Sequence, residues 1–136
     1  MPVVVDTSAV LGVAMEDEAA DFAIAVLEEI QQDGALAPSI LWYELRNVLV
    51  VSERRGRISE QKSAAFLALL AELPIELTEP PSEGGVLELA RRQGLSVYDA
   101  SYLELAVRSG APLATLDTGL ERAALRAGAE VFPGPR

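Results

Sequence analysis

Hydrophobic residues in this chain form a few short runs, and longer stretches with helical periodicity separate them. The first run, Val3–Val5, contains consecutive β-branched residues without polar alternation. Such a run predicts a strand that is buried on both faces, as in a parallel sheet with helices on each side. Further strands are predicted at Ala35–Ala37, Pro74–Leu77, Pro112–Leu116 and Val131–Phe132.

The stretches between these runs predict amphipathic helices. In the first of them, Phe22, Val26 and Ile30 recur every four residues, and Gly34 ends the helix. Ser39 and Ser59 are predicted to cap the amino termini of the next two helices. The predicted helices span residues 16–32, 39–55, 59–71, 82–93, 97–109 and 118–127.

Short apolar strands that alternate with helices predict an α/β fold. We therefore expect one domain over residues 1–136, an α/β/α sandwich with a short, mainly parallel central sheet. No apolar run reaches the ~18 residues that a membrane-spanning helix needs, and the amino terminus lacks the features of a signal peptide. The expectation is a cytoplasmic protein with no membrane partner.

Composition narrows the possible chemistry. The chain has no cysteine and no histidine, which excludes thiolate and imidazole metal ligands as well as a Ser-His-Asp triad. Any catalysis therefore depends on carboxylates, hydroxyls, arginines or a metal ion. The formal net charge of −10 opposes nonspecific binding to nucleic acid and favours cationic partners.

Two acids follow predicted strands. Asp6 comes directly after Val5, and Asp117 comes directly after Leu116. In open α/β sheets, ligands bind at the carboxyl ends of the strands. An aspartate at that position can equally cap the helix that follows. Each of these two acids, taken alone, therefore has two interpretations.

Two more acids lie on predicted helices and face inward. On a helical wheel, Glu44 falls among apolar positions that include Leu41 and Val48. A carboxylate there needs a partner, which is either an internal salt bridge or a functional site. Arg46, the nearest cation on that helix, falls on its far side. Asp99 begins the apolar stripe of another helix, where it is either a cap or a site residue.

Together, these four acids can converge at one edge of the sheet. Clustered carboxylates repel one another and raise one another's pKa, so a protein keeps such a cluster when a cation neutralises it. With only oxygen ligands available, the predicted cation is Mg²⁺, with Mn²⁺ as an alternative. Asn47 follows Glu44 by three residues and is close enough to orient a carboxylate or a water there.

Four segments, in this order and spacing, resemble the motifs of PIN-domain nucleases. The resemblance extends from Val3 to Phe132, and the short chain without an appended domain is most similar to the VapC toxins of type II toxin–antitoxin modules. The segments are Val-Val-Asp6-Thr7-Ser8-Ala, Glu44-Leu-Arg-Asn47, Tyr98-Asp99-Ala-Ser-Tyr-Leu-Glu-Leu-Ala and Leu-Ala-Thr115-Leu-Asp117-Thr-Gly-Leu.

The resemblance implies a metal-dependent endoribonuclease that hydrolyses RNA phosphodiester bonds. It also implies a small antitoxin protein that inhibits the nuclease, and either a homodimer or a toxin–antitoxin hetero-oligomer. The acidic metal site would be formed by Asp6, Glu44, Asp99 and Asp117, with Asp6 and Asp99 as the principal ligands. The assisting residues would be Thr7, Ser8, Asn47 and Thr115.

Binding of RNA to such an acidic chain needs local positive charge. Arg46, Arg54 and Arg55 are the candidates, and they cluster with Arg57 and Lys62 around the end of one helix and the start of the next. This cluster is either a surface that contacts RNA phosphates or a solvated helical corner. Apolar side chains of two central helices would either line an antitoxin groove or belong to the core; they are Leu41, Trp42, Leu67 and Leu70.

Two other functions compete with the nuclease. A phosphatase of the haloacid dehalogenase type also has an aspartate after its first strand, which acts as a nucleophile as Asp6 would here. That mechanism needs a second aspartate two residues on, where this chain has Ser8, and a lysine near a strand end, whereas Lys62 lies on a predicted helix. The non-enzymatic alternative is a binding module in which the acids hold a structural metal ion.

Overall fold

The computed structural model describes residues 1–15, 20–79 and 84–133, and these residues form a four-stranded, all-parallel sheet. The strands are β1 (Val3–Val5), β2 (Ala35–Pro38), β3 (Ile75–Thr78) and β4 (Leu113–Ala114). Their spatial order is β3-β2-β1-β4, which places β1 between β2 and β4.

Seven helices occur in the same described residues. They are α1 (Thr7–Met15), α2 (Ala20–Asp33), α3 (Ile40–Arg54), α4 (Glu60–Ala71), α5 (Gly84–Gln93), α6 (Val97–Ser109) and α7 (Thr118–Arg126). The predicted start of the first helix at residues 16–19, the predicted break at Pro80-Pro81 and the predicted helix start at Ser82 lie outside the described residues. No helix of the described part of the chain is long and apolar enough to cross a membrane.

Strand β1 is buried on both faces, as its sequence predicts. Val3, Val4 and Val5 have no exposed surface, and alternate residues of a strand point to opposite faces of the sheet. Helices α2 and α6 both pack against this strand. The structure thus confirms the predicted α/β fold with a parallel central sheet.

The parallel arrangement places the carboxyl ends of all four strands at one edge of the sheet. Asp6 directly follows β1, and Thr115 directly follows β4. Helix α3 begins two residues after β2, so its first turns, which carry Glu44, start from the same edge. This edge is where open α/β sheets bind their ligands.

Three predicted features differ from the structure. Strand β4 contains only two residues, because the hydroxyl of Thr115 accepts the N–H of Asp117 at 3.0 Å and the chain turns away from the ladder. The strand predicted at Val131–Phe132 is reduced to a single bridge formed by Val131. Ser39 has helical backbone angles (φ −58°, ψ −23°), and its side chain makes no capping hydrogen bond to the described residues of α3.

Other predicted helix ends are confirmed. The hydroxyl of Ser59 accepts the backbone N–H of Lys62 at 3.1 Å and so caps α4. Gly34 and Gly110 follow α2 and α6 with φ angles of 82° and 65°. This left-handed conformation ends a helix at little steric cost only for a residue without a Cβ.

Candidate active site

Asp6 fills one of the two roles that its sequence position allows, the helix cap. Its side chain is buried, and Oδ1 accepts the backbone N–H of Ala9 at 2.9 Å, which caps the first turn of α1. The same oxygen accepts the hydroxyl of Ser8 at 2.7 Å, and Oδ2 accepts the hydroxyl of Thr115. The carboxylate is therefore fixed in orientation by donors from the first turn of α1 and from the residue after β4.

Ser8 and Thr115 extend this network to the start of α7. The hydroxyl of Ser8 accepts the backbone N–H of Leu116 at 2.8 Å, and Thr115 Oγ1 accepts the N–H of Asp117. Asp117 in turn caps α7, because its Oδ1 accepts the N–H of Leu120 at 3.0 Å. The cap interpretation thus holds for Asp117, and its exposed side chain still stands at the edge where β4 ends.

Glu44 finds its partners on α1 and α6. Its Oε1 accepts two hydrogen bonds, from the hydroxyl of Tyr102 at 2.5 Å and from the hydroxyl of Thr7 at 3.1 Å. The two hydroxyl oxygens lie 3.3 Å apart. No cation within the described ranges forms an ion pair with Glu44, so hydroxyl donors take the place of an internal salt bridge there.

Asp99 is a half-buried acid in the first turn of α6. It does not cap that helix, because the capping side chain is Ser96, whose hydroxyl accepts the N–H of Asp99 at 3.1 Å. Its carboxylate therefore makes no capping hydrogen bond, and it contributes to the start of α6 only as a negative charge near the positive end of the helix dipole. This removes the structural alternative that its sequence position had left open.

The acids affect one another electrostatically. Burial raises the pKa of Asp6, hydrogen bonds from Thr115, Ser8 and Ala9 oppose the rise, and the charge of Asp117 adds to it. Burial also raises the pKa of Asp99, and the charges of Asp117 and Glu44 raise it further. The four acids of the sequence prediction are thus neighbours at one edge, and each additional negative charge there is unfavourable.

Tyr102 is a site residue that the sequence prediction did not include. Its side chain is only 2% exposed, and burial, followed by its hydrogen bond to Glu44, raises the pKa of its hydroxyl far above the usual range. The hydroxyl therefore stays protonated at any physiological pH and donates a hydrogen bond to Glu44. Two signals pointed to it: Tyr102 lies three residues after Asp99 on the same helix face, and a buried tyrosine hydroxyl usually needs a partner.

The donor set matches a hard divalent cation in type. Every candidate ligand is a carboxylate or hydroxyl oxygen, which Mg²⁺ and Mn²⁺ prefer. Glu44 Oε2 has no hydrogen-bond donor among the described residues, since both of its recorded donors reach Oε1. Within that part of the chain, however, no three acids are arranged to hold one ion together. The four predicted ligands thus do not form a closed carboxylate cage.

The remaining predicted residues lie apart from this cluster. Asn47 is exposed on α3, and it makes no side-chain hydrogen bond to an acid of the described residues. The guanidinium of Arg46 stacks on the ring of Trp42, 3.7 Å from its centroid, and donates to the Trp42 carbonyl at 3.0 Å. Arg54 and Arg55 are exposed at the end of α3, which is about 15 Å along the helix axis from Glu44.

Two depressions with largely apolar linings bear on the partner prediction. The larger has a volume of about 490 Å³ and includes Tyr43 and Tyr98, which directly precede Glu44 and Asp99 in the sequence. The smaller, of about 220 Å³, lies between α3 and α4. It is lined by the four residues that the sequence offered for either a groove or the core, Leu41, Trp42, Leu67 and Leu70.

The family follows from a comparison with known proteins. The family model described as PIN domain matches residues 3–125. The chain belongs to the PIN-domain family. This match confirms the resemblance inferred from the sequence, and it covers every acid of the candidate site.

Individual relatives agree with this assignment. This PIN domain is 32% identical over 137 positions to Ribonuclease VapC3 of Pyrobaculum aerophilum, with 98% of this chain and 96% of that protein covered. It superposes on the crystal structure of PAE2754 from Pyrobaculum aerophilum with a TM-score of 0.71 and 27% identity, covering 90% and 86% of the two chains. FitAcB from Neisseria gonorrhoeae shares the fold, with a TM-score of 0.67, 18% identity and 96% of both chains covered.

Proposed function

We propose that this PIN domain is a metal-dependent endoribonuclease that acts as the toxin of a toxin–antitoxin pair. The observation that carries the proposal is the group of four acids at the carboxyl edge of the sheet, in which the charge of Asp117 acts on Asp6 and Asp99 and that of Glu44 acts on Asp99. Its similarity to Ribonuclease VapC3 over nearly the full length of both chains supports RNA as the substrate. Repulsion between these negative charges destabilises the folded protein, and a bound cation would neutralise it.

In this proposal, Asp6 and Asp99 are the principal ligands of Mg²⁺, and Mn²⁺ can replace it. Mg²⁺ usually binds through one or two carboxylates and keeps several waters, so a closed cage of four acids is not required. Glu44 and Asp117 would complete the site directly or through water. When bound, the ion activates a water for attack and screens the negative charge that develops on the scissile phosphate.

The other polar residues would orient the acids and the substrate. Ser8 and Thr115 hold the Asp6 carboxylate by hydrogen bonds, and Thr7 holds that of Glu44. Asn47, one helical turn from Glu44 and exposed, would contact the RNA or a water. Substrate binding away from the acids would use Arg54 and Arg55, because their exposed guanidinium groups can contact phosphates without competing ion pairs in the described structure.

A phosphatase-like reaction at Asp6 is less well supported. A nucleophilic carboxylate needs an oxygen that can approach phosphorus, whereas Asp6 is only 6% exposed. Both of its oxygens also accept hydrogen bonds from the protein. These contacts suit a fixed ligand better than an attacking group.

The proposed partner is a small antitoxin protein with a basic segment. A net charge of −10 favours association with such a segment. The larger depression offers such a segment a buried negative charge, because Oε2 of Glu104 has no hydrogen-bond donor in the described structure. We also propose that the chain forms a homodimer or a toxin–antitoxin hetero-oligomer, with exposed Tyr43 and Tyr98 contributing apolar surface.

The test is single-turnover cleavage of a panel of structured RNAs by the purified protein, with Mg²⁺ and with chelator. We expect cleavage only with the metal, and loss of cleavage in Asp6→Asn and Asp99→Asn. The matched control is Asp21→Asn, which changes an exposed aspartate of α2. Full activity in either site variant would contradict the assignment, and metal binding without cleavage of any RNA would favour the non-catalytic binding module.

A further inference from the structure

Of the two hydrogen bonds that Glu44 accepts from the described residues, the one from Tyr102 is the shorter. The two residues lie 58 positions apart in the sequence, on α3 and α6, and their oxygens are 2.5 Å apart. Thr7 of α1 reaches the same carboxylate oxygen and also lies within hydrogen-bond distance of the Tyr102 hydroxyl. Three helices thus meet at one oxygen of one acid.

The two side chains differ in how firmly they are held. Glu44 is only half-buried, and a glutamate has three side-chain torsions that must be fixed before its carboxylate can act as a ligand. Tyr102 is among the largest fully buried side chains of the protein, so the packing around its ring fixes the position of its hydroxyl. The rigid member of the pair therefore determines where the mobile member points.

The contact leaves the other half of the carboxylate free. Both hydroxyls reach Oε1, and within the described ranges no donor reaches Oε2. The hydrogen bond to Tyr102 brings the Glu44 carboxylate against α6, one helical turn from Asp99, and its charge adds to the rise in the pKa of that acid. A phenylalanine would fill the same space in the core, so packing alone does not account for the hydroxyl of Tyr102.

We propose that Tyr102 is a positioning residue, which holds Glu44 by its Oε1 and so directs Oε2 toward the metal site. The inference rests on the proposed function, because it assigns a role to Glu44 in that site. Groups that orient a metal ligand in this manner typically change metal affinity or activity by 10- to 100-fold when they are removed. Thr7, the second donor, would give a smaller effect because its contact is longer.

The decisive variant is Tyr102→Phe, which removes the hydroxyl and keeps the ring. We expect Mn²⁺ affinity, measured by isothermal titration calorimetry, to fall by about 10-fold or more. In RNA cleavage, kcat should fall and KM should stay unchanged. The control is Ser109→Ala, because it also removes one hydroxyl from α6 but at the opposite end of that helix, away from the acids.

A double-mutant cycle separates positioning from general destabilisation. If Tyr102 acts through Glu44, Tyr102→Phe should have no further effect on Mn²⁺ affinity when Glu44→Gln is already present. An undiminished effect in that background would overturn the proposal, as would a Tyr102→Phe protein that binds Mn²⁺ like the unmodified chain. If Tyr102→Phe does not fold, Thr7→Val replaces it in the cycle, because Thr7 donates to the same oxygen of Glu44. An effect of Thr7→Val on Mn²⁺ affinity that is equally large with and without Glu44→Gln would then contradict the proposal.

The outcomes also distinguish this proposal from the proposed function. If the unmodified protein binds Mn²⁺ but cleaves no RNA, the nuclease proposal fails, and the affinity cycle still decides the role of Tyr102. If the unmodified protein does not bind Mn²⁺ at all, there is no metal ligand for Tyr102 to position, and the inference is wrong. Weaker Mn²⁺ binding in Tyr102→Phe that disappears in the Glu44→Gln background supports it.

Discussion

Thr115 donates a hydrogen bond to Oδ2 of Asp6, although the two residues are 109 positions apart in the chain. This contact joins the end of the central strand to the end of the edge strand β4. It makes the position of the first acid depend on the last strand of the sheet. The integrity of the candidate site should therefore be measurable through the stability of the fold.

Replacing Thr115 by valine tests this link. The variant keeps the shape of the side chain but removes the donor to Asp6 and the acceptor of the Asp117 N–H. We expect the free energy of unfolding, measured with urea at pH 7, to fall by about 1–3 kcal/mol, because buried polar groups lose their partners. The control is Thr118→Val, at the exposed start of α7, which should change the unfolding free energy by less than about 0.5 kcal/mol.

Replacing Asp99 by asparagine should stabilise the protein in metal-free buffer at pH 7. The pKa of Asp99 is raised above its model-compound value of 3.8, so its charged form is disfavoured in the fold by burial and by its acidic neighbours. We expect the thermal midpoint to rise by about 2–5 °C. The exposed Asp21→Asn should give no such rise, and a lower midpoint for Asp99→Asn would contradict the electrostatic account.

The same pKa shift fixes the pH dependence of that effect. A raised pKa in the folded state favours folding fully below pH 3.8, and this contribution is lost as the pH rises through the higher folded-state pKa. The advantage of Asp99→Asn should therefore be largest near neutral pH and shrink as the pH approaches 3.8. Urea unfolding of the two proteins at several pH values measures the difference directly, and a gap that is constant with pH would argue against titration of Asp99.

With divalent metal present, the unmodified protein should be more stable than Asp99→Asn. A cation that binds only the folded state adds about 2.7 kcal/mol when present at a hundred times its dissociation constant. We expect Mn²⁺ to raise the melting temperature of the unmodified protein and to have a much smaller effect on Asp99→Asn, with chelator restoring both values. Equal shifts in the two proteins would place the ion somewhere other than the acidic edge.

The exposed arginines at the end of α3 should contribute to RNA binding through phosphate contacts. In Arg54→Gln/Arg55→Gln we expect weaker binding, and a plot of log affinity against log salt whose slope is reduced by about 1 to 2. Arg91→Gln/Arg122→Gln is the charge-matched control, because both of these arginines are exposed on other helices. Binding that is identical in the two double variants would show that the cluster is only a solvated corner.

The sequence predicts the parts of the fold that depend on local pattern. The uninterrupted β-branched run identifies β1 as a buried strand, and the helical periodicity around Leu41 and Val48 predicts an inward-facing Glu44, which the structure shows as half-buried. Strand β4 is overpredicted because the apolar run continues into residues whose backbone is bound by the Thr115 side chain. Local pattern carries no information about that competition.

In the candidate site, too, the sequence predicts what depends on local pattern and misses what depends on tertiary packing. The position of Asp6 directly after β1 is visible in the sequence, because a strand and the residue after it are local features, whereas Asp117 lies three residues beyond the shortened β4. The pairing of Glu44 with Tyr102 is not visible in the sequence, since it depends on how α3 and α6 pack against each other. The sequence likewise leaves open whether Asp99 caps α6, whereas the structure shows that the hydroxyl of Ser96 is the cap.

The cap that Asp6 provides for α1 has a practical consequence for genetics. Because its Oδ1 binds the Ala9 amide, a substitution at this position perturbs the first turn of the helix as well as the proposed metal site. Loss of toxicity in an Asp6→Ala strain would then report protein abundance and catalysis together. Asp99, whose carboxylate makes no capping hydrogen bond, is the better position for an allele that tests the proposed site without removing the cap of a helix.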